Sequence, residues 1–175
     1  MHKIKSSAVF RKVIMMPKVF DETAYDKPII RKKAISAQNN GDLATNVNFG
    51  DVGQFKFDEP ISHGGTGLGP TPLQGVLGAL CACKSVTFSR TAQEMDFKYD
   101  SIEYDGAFTI DIRGRKGMRG VTPHFQTVKL EVKVRTTEDL DRLDAVVEET
   151  QNRCPVYNLI KDAGVKIDTV WLRLS

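Results

Sequence analysis

The stretch Gly67-Leu-Gly-Pro-Thr-Pro-Leu-Gln-Gly-Val-Leu-Gly-Ala-Leu-Cys-Ala-Cys83 decides the fold, because a glycine-rich loop leads there directly into an apolar segment. Thr71 is a suitable N-cap and Pro72 suits the first helical position, so we predict a long helix from there to about Met95. The first half of this helix is apolar on nearly every side, which is typical of a helix in a protein core. Small residues that would allow close packing against another backbone lie at Gly75, Gly78, Ala79 and Ala82.

Short strands are predicted on both sides of this helix. Between residues 27 and 57 two turn sequences, at 39–42 and 50–51, separate alternating segments, which predicts an antiparallel meander opened by Ile29 and Ile30. After the helix, alternation predicts further strands, then an amphipathic helix from Thr136, a short helix from Pro155 to Ala163 and a last strand with a bulge near Asp168. This order of elements indicates the α+β class.

Composition restricts the function. The chain has 175 residues, of which 41% are hydrophobic and 27% charged, as in an ordinary soluble domain. It contains no apolar run of about 18 residues, so we expect no membrane span. The net charge of +3 is too small to indicate nucleic-acid binding. We therefore expect a basic N-terminal arm over 1–26 and a single domain over 27–175, in the cytoplasm.

The basic character is concentrated in two places. Within the first twenty residues the basic side chains have no acid among them: Lys3, Lys5, Arg11, Lys12 and Lys18. A second basic cluster lies in the glycine-rich stretch 113–119. Nucleic-acid binding through the arm and this cluster is the weakest of the functional alternatives, and a solvated loop is the simpler interpretation of 113–119.

The three cysteines, Cys81, Cys83 and Cys154, are too few and too uneven for the disulfide framework of a secreted protein. Catalytic, metal-binding and inert core roles remain open. The histidines show no zinc-ligand spacing with a cysteine pair, so we expect no metal. The loop 64–69 lacks the features of a phosphate-binding loop, so we expect no bound cofactor either.

The cysteines differ in their surroundings. Cys81 and Cys83 lie about 200° apart around a helix and cannot face one site; Cys83 shares a stripe with Val76, Leu80 and Thr87, whereas Cys81 is interpreted as a buried apolar residue. Cys154 precedes Pro155 at a predicted helix N-terminus, where the helix dipole and the adjacent Arg153 would stabilise a thiolate. The residues alone therefore favour Cys154 as the more acidic thiol. Whether it meets Cys83 depends on the fold.

The quoted stretch resembles the signature of the OsmC/Ohr family, the osmotically inducible and organic hydroperoxide resistance proteins. In that family a glycine-rich loop leads into G-x-x-P and a core helix with a reactive cysteine eleven residues after the proline, a spacing that Pro72 and Cys83 keep. A late Cys-Pro dipeptide near a helix start is the second mark, and Cys154-Pro155 matches it. The resemblance covers roughly 27–174.

The resemblance implies an α+β fold with antiparallel sheets packed on a long buried core helix, in an intertwined homodimer with its active site at the interface. It also implies a thiol-dependent peroxidase that reduces organic hydroperoxides. Cys83 would attack the peroxide, Cys154 would resolve the product as a disulfide, and a dithiol reductant would regenerate the pair.

Two positions depart from the family pattern. Efficient members hold the reactive thiolate with an Arg from an early strand and a Glu at the start of the core helix. Here Leu73 and Gln74 occupy the Glu region, and residues 39–42 contain no Arg, although Arg31 is near in sequence. An OsmC-like protein that binds a small hydrophobic ligand at the dimer interface, without efficient peroxidase activity, is therefore the alternative.

Overall fold

A computed structural model describes residues 27–175 and, as backbone only, the strand β1 (His2–Ile4). The rest of the predicted basic arm, 1–26, lies outside the described residues. Of the described residues, 27–78 form one compact unit, and 79–175 together with β1 form a second. The boundaries of an arm over 1–26 and a single domain over 27–175 stay predictions. No described helix is long and apolar enough to span a membrane.

The first unit contains the predicted meander. Strands β2 (Ser36–Asn39), β3 (Thr45–Asn48) and β4 (Gln54–Phe57) pair antiparallel in chain order. The turn between β2 and β3 is held by the Asn39 side chain, which accepts a hydrogen bond from the Gly41 N–H at 2.9 Å. The strand predicted at Ile29 and Ile30 is wrong: both are exposed and outside any strand. Their β-branched side chains favour extended backbone, but none of the described strands pairs with them.

The glycine-rich loop that follows is folded tightly around Asp58. One carboxylate oxygen of Asp58 accepts hydrogen bonds from the backbone N–H groups of Thr66 and Leu68, each at 3.1 Å, and from the Thr66 hydroxyl. The other oxygen accepts from the Glu59 N–H at 2.7 Å. A Cβ at Gly65 would lie 1.9 Å from the Glu59 carbonyl oxygen. Only glycine permits this close approach of two backbone segments.

Helix α1 (Pro72–Glu94) confirms the predicted long helix. Thr71 and Gln74 form a reciprocal cap, in which the Gln74 side chain accepts from the Thr71 N–H at 2.9 Å and the Thr71 hydroxyl accepts from the Gln74 N–H at 3.3 Å. Gly75 leaves room for the Phe57 ring, since a Cβ there would lie 2.2 Å from it. Close packing at this glycine is therefore against a side chain rather than another backbone.

Within the single chain α1 buries one face and exposes the opposite one. The buried face of the helix consists of Leu80, Lys84, Phe88, Thr91 and Ala92. The exposed face includes Val86, which is 52% exposed. Burial of the exposed face by a second protomer stays a prediction.

The second unit is built on a four-stranded sheet of order β1-β7-β6-β5. Its elements after α1 are β5 (Ser101–Ile110), α2 (Ile112–Arg115), β6 (Phe125–Arg135), α3 (Leu140–Arg153), α4 (Pro155–Asp162) and β7 (Lys166–Leu174). The β6–β7 pair is parallel, whereas the resemblance implied antiparallel sheets. The helical crossover through α3 and α4 explains the difference, because it returns the chain in its original direction.

The register of β7 also differs from the prediction. No bulge lies near Asp168: β7 pairs with β6 continuously from Lys166 to Leu174. A register shift occurs instead at Thr109/Ile110 in β5. The apolar phase changes along β7 because adjacent residues Trp171 and Leu172, which point to opposite faces, are both buried.

An aromatic cluster packs the buried face of α1. The Phe88 ring stacks on Trp171 of β7 at 5.6 Å between centroids and meets Tyr99 edge-on at 5.1 Å. Phe97 lies edge-on to the same ring at 6.0 Å. Burial of each such side chain contributes about 1.5–3 kcal/mol. These contacts fix the rotation of α1 in its second half and place Lys84, one turn before Phe88, in the interior.

Candidate functional site

The structure brings Cys83 and Cys154 together although 70 residues separate them in the sequence. Cys83 is half-buried on α1 and Cys154 is fully buried, and the two side chains are close enough for Cys83 to raise the pKa of Cys154. All three cysteines are free thiols. The fold therefore makes neighbours of two thiols that are remote in the sequence.

Cys154 lies at the junction where α3 ends and α4 begins. Its N–H donates to the Thr150 carbonyl of α3, and its carbonyl accepts from the Asn158 N–H of α4, each at 3.0 Å. The Asn158 side chain also donates to three carbonyls, those of Gln151, Asn152 and Cys154. Sequence analysis missed Asn158. The only indication in the sequence is that this amide side chain lies next to the apolar Leu159 and Ile160 in a short helix. These bonds hold the thiol in a fixed place.

The prediction that Cys154 is the more acidic thiol at its helix start is wrong in direction. Burial raises the pKa of Cys154, and the neighbouring Cys83 raises that pKa further. The backbone N–H of Tyr157 and the positive charge of Lys84 act in the opposite direction but are outweighed. Arg153 does not serve the thiol, since its guanidinium pairs with Glu94 and Glu149.

Lys84 is the residue of this site that sequence analysis missed. Its side chain is completely buried, and its Nζ has no hydrogen-bond partner among the described residues. The ammonium lies over two rings, 4.4 Å from the centroid of Tyr157 and 5.4 Å from that of Trp171. Burial lowers the pKa of Lys84 to about 8, against the opposing influence of Cys154 and Cys81.

Two further polar groups line the same interior. The hydroxyl of Tyr104 and the indole N–H of Trp171 are buried without a hydrogen-bond partner among the described residues. Their strands place them in one row, because Tyr104 pairs with Val132, which in turn pairs with Trp171. Burial raises the pKa of Tyr104, and the nearby Cys81 and Cys154 add to that rise. The thiols therefore face an apolar interior with few polar groups.

Cys81 is half-buried, and burial raises its pKa, while the charge of Lys84 opposes the rise. The remaining positions singled out by sequence lie in the first unit. Gln74 caps α1, Leu73 is half-buried and Arg31 is exposed in a segment without strand or helix. Within 27–175 no cluster of His, Cys, Asp or Glu is arranged to hold a metal ion.

Comparisons with known proteins agree with this architecture. The family model described as OsmC-like protein matches residues 64–170. An OsmC-like protein from Mycoplasma pneumoniae is 19% identical with a TM-score of 0.71, covering 84% of this chain and 100% of its own. An organic hydroperoxide resistance protein OsmC from Legionella pneumophila is 15% identical with a TM-score of 0.63, covering 84% and 100%.

A third structure, the organic hydroperoxide resistance protein OhrB of Bacillus subtilis, is 19% identical with a TM-score of 0.55, covering 82% of this chain and 98% of its own. No curated protein sequence matches significantly. At these identities the solved structures show a shared fold, and the family model covers more than half of the chain. The chain therefore belongs to the OsmC-like protein family.

Proposed function

We propose that this protein reduces organic hydroperoxides with the thiol pair Cys83 and Cys154, and that a dithiol reductant regenerates the pair. The observation that carries the proposal is that two free thiols remote in the sequence are neighbours in the fold, close enough for Cys83 to act on the pKa of Cys154. The resemblance to organic hydroperoxide resistance proteins supports the peroxide as the oxidant. The active form would be the homodimer that the family resemblance implies.

The unequal burial of the two thiols supports their separate roles. Cys83 is half-buried, so a peroxide can reach its sulfur, whereas Cys154 is completely buried and can react only with a neighbour inside the protein. Attack on a substrate needs access, and resolution needs only proximity. Cys83 is therefore the attacking residue and Cys154 the resolving one.

The reaction takes place in two steps. The Cys83 thiolate attacks the outer peroxide oxygen, the O–O bond breaks, the alkoxide leaves as an alcohol after taking up a proton, and Cys83 becomes a sulfenic acid. The Cys154 thiolate then attacks the Cys83 sulfur, the S–S bond forms and the hydroxyl leaves as water. Exchange with a dithiol reduces this disulfide and oxidises the dithiol.

The surroundings of the pair favour an apolar peroxide over hydrogen peroxide. Aromatic side chains from the sheet and from α4 lie close to the thiols, namely Tyr104 and Tyr157. The organic substituent of an alkyl hydroperoxide gains free energy when it moves from water into such surroundings. Hydrogen peroxide carries a second hydroxyl in place of that substituent and has no such gain.

Consumption of cumene hydroperoxide by the reduced protein in the presence of excess dithiol tests the proposal. We expect wild type to turn over repeatedly and C83S to fall to the uncatalysed rate. C154S should complete a single turnover and accumulate a Cys83 sulfenic acid that dimedone traps. The matched control is C81S, which removes a thiol from the same helix and should retain activity.

Equal rates for wild type and C83S would overturn the proposal. Binding of a small hydrophobic ligand at the dimer interface would then be the better account. Native mass spectrometry of the intact protein, with decanoic acid as the added probe, decides that alternative: a bound probe supports it, and a spectrum without one removes it.

A further inference from the structure

The proposed mechanism gives no role to Lys84, the one lysine that is completely buried among the described residues. We propose that Lys84 is the proton acceptor and counter-cation of Cys154 during the attack of Cys154 on oxidised Cys83. This inference rests on the proposed function, because it assigns a residue to its second step. It concerns the resolving thiol and leaves the first attack on peroxide to Cys83.

The geometry around Nζ is unusual for a structural lysine. A buried ammonium is normally held by a carboxylate or by several carbonyl groups, and without them it destabilises the fold. Here Nζ has no hydrogen-bond partner within the described part of the chain, and two aromatic faces provide its only close electrostatic contacts besides the thiols. Aromatic faces stabilise a cation but accept no proton. Among the groups that act on it electrostatically the thiols are the ones that can carry a proton, so they are its candidate partners in proton exchange.

The titratable groups around this lysine come from three parts of the chain. Cys81 belongs to α1 itself, Cys154 to the α3–α4 junction and Tyr157 to α4. Cys154 and Cys81 act electrostatically on Lys84, and the influence of Cys154 is the larger. Burial raises the pKa of Tyr157, so this tyrosine is not the partner near neutral pH.

The pKa values of Lys84 and Cys154 are displaced in opposite directions by the same cause. Burial brings the pKa of the lysine down to about 8 and raises that of the thiol, so each group disfavours its own charged form in isolation. Transfer of the thiol proton to the amine creates a thiolate and an ammonium side by side, which stabilise one another in the apolar interior. The helix start alone does not supply that stabilisation, since burial outweighs the N–H of Tyr157.

The resolving step then balances as follows. The neutral Lys84 amine takes the proton of Cys154, the thiolate attacks the Cys83 sulfur, the S–S bond forms and the S–O bond breaks. The leaving hydroxide takes this proton from the Lys84 ammonium and departs as water, which returns the amine to its neutral form. In sum one thiol and one sulfenic acid become one disulfide and one water.

Single-turnover kinetics test the role within the reaction. Cumene hydroperoxide converts Cys83 to the sulfenic acid, and disulfide formation is then followed from pH 6 to pH 10 in wild type and K84M. We expect K84M to slow disulfide formation about tenfold or more at pH 7 and to move the pH midpoint upward. The first step should stay within about twofold. The exposed-lysine control K161M should match wild type in both steps. Equal rates and midpoints in K84M and wild type would overturn the proposal.

A titration that needs no peroxidase activity separates this inference from the proposed function. In C81S/C83S only the Cys154 thiol remains, and the thiolate absorbance near 240 nm gives its midpoint after subtraction of C81S/C83S/C154S. Adding K84M should raise that midpoint by about one pH unit or more. An unchanged Cys154 midpoint would overturn the role of Lys84 even if the protein reduces peroxides. A raised midpoint would support the coupling between Lys84 and Cys154 even if the protein has no peroxidase activity.

The same coupling can be measured from the lysine if K84M does not fold. The Lys84 side chain is titrated by NMR in wild type and in C154S, which is a conservative change. Coupling is reciprocal, so loss of the thiolate should lower the pKa of Lys84. Identical titrations in the two proteins would contradict the proposal.

Discussion

Two buried charges, one in each compact unit, are treated in opposite ways. Asp58 in the first unit is 1% exposed and accepts hydrogen bonds from three backbone N–H groups and one hydroxyl. Lys84 in the second unit is 0% exposed, and its Nζ has no hydrogen-bond partner among the described residues. The two charged groups are therefore equally buried, but Asp58 is fully hydrogen-bonded and the Lys84 ammonium makes no hydrogen bond within the described part of the chain.

The pKa values show what this difference means. Hydrogen bonds, first that of Thr66, outweigh burial and lower the pKa of Asp58 to about 2, so the fold favours its charged form. At Lys84 burial dominates and lowers the pKa to about 8, so the fold disfavours its charged form. The hydrogen-bonded Asp58 carboxylate holds the loop together. The buried Lys84 ammonium lowers the stability of the fold, which is typical of a residue with a role in the chemistry of a site.

The largest effect is expected from D58A. The variant leaves the N–H groups of Thr66 and Leu68 without their acceptor, and we expect the Tm at pH 7 to fall by about 10 °C or more. Because the folded pKa of Asp58 lies below its unfolded value of about 3.9, its stabilisation is present above pH 4 and is lost as the pH falls toward 2. Calorimetry of both proteins from pH 7 to pH 2 measures the converging Tm values.

The control for this variant is D51A, which removes an exposed carboxylate from the same unit. It should change the Tm little at any pH. A D58A protein as stable as D51A would show that the loop does not depend on the Asp58 carboxylate. Asp58 would then no longer be an example of a buried charge that stabilises the fold, and the contrast with Lys84 would fail.

The next largest effect is expected from K84M, which should raise the stability of the fold where D58A lowers it. The difference between the ordinary lysine pKa of 10.5 and about 8 corresponds to about 3 kcal/mol of lost stability at neutral pH. The folded protein binds fewer protons than the unfolded chain between these values, so wild type should gain stability as the pH rises from about 8 to 10.5. Methionine keeps an unbranched apolar chain, so K84M should be more stable by roughly that amount at pH 7.

Urea unfolding of wild type and K84M at pH 7 and pH 10.5 measures both parts of this expectation. The advantage of K84M should shrink at the higher pH, and K161M should resemble wild type throughout. A K84M protein that is less stable than wild type at pH 7 would make Lys84 a structural residue, which removes the contrast with Asp58.

Local patterns explain which parts of the fold were predictable. Thr71 and Pro72 mark the start of α1 by their own chemistry, and the turn at 39–42 is encoded in adjacent residues, so both were predicted from sequence. The parallel pairing of β6 with β7 was not, since it depends on where the α3–α4 crossover returns the chain. Ile29 and Ile30 show the same limit: strand propensity without a pairing partner forms no strand.

The site was predictable only in part, for a physical reason. Cys83 and Cys154 were found because a known signature connects them, and their proximity is a property of the fold that neither residue encodes alone. Lys84 was missed because α1 is apolar on most sides, so periodicity does not show which face is buried. The aromatic cluster on Phe88 sets that face, and its members come from α1, from the connection between α1 and β5, and from β7. The raised pKa of Cys154 has the same origin, since a helix start indicates the dipole but not the burial.

The smallest effect sharpens the comparison at Lys84 itself. The Tyr157 ring lies 4.4 Å from Nζ, and Y157L removes this face while Y157F keeps it. Loss of a desolvated cation–π contact destabilises the ammonium by about 0.5–2 kcal/mol, so the pKa of Lys84 should fall in Y157L by roughly half a unit to one unit. The more distant Trp171 ring remains in both variants and limits the change. NMR titration of the lysine side chain compares them directly. Equal values in Y157L and Y157F would mean that the Tyr157 ring only fills space, and that Trp171 and the neighbouring thiols stabilise the buried ammonium without it.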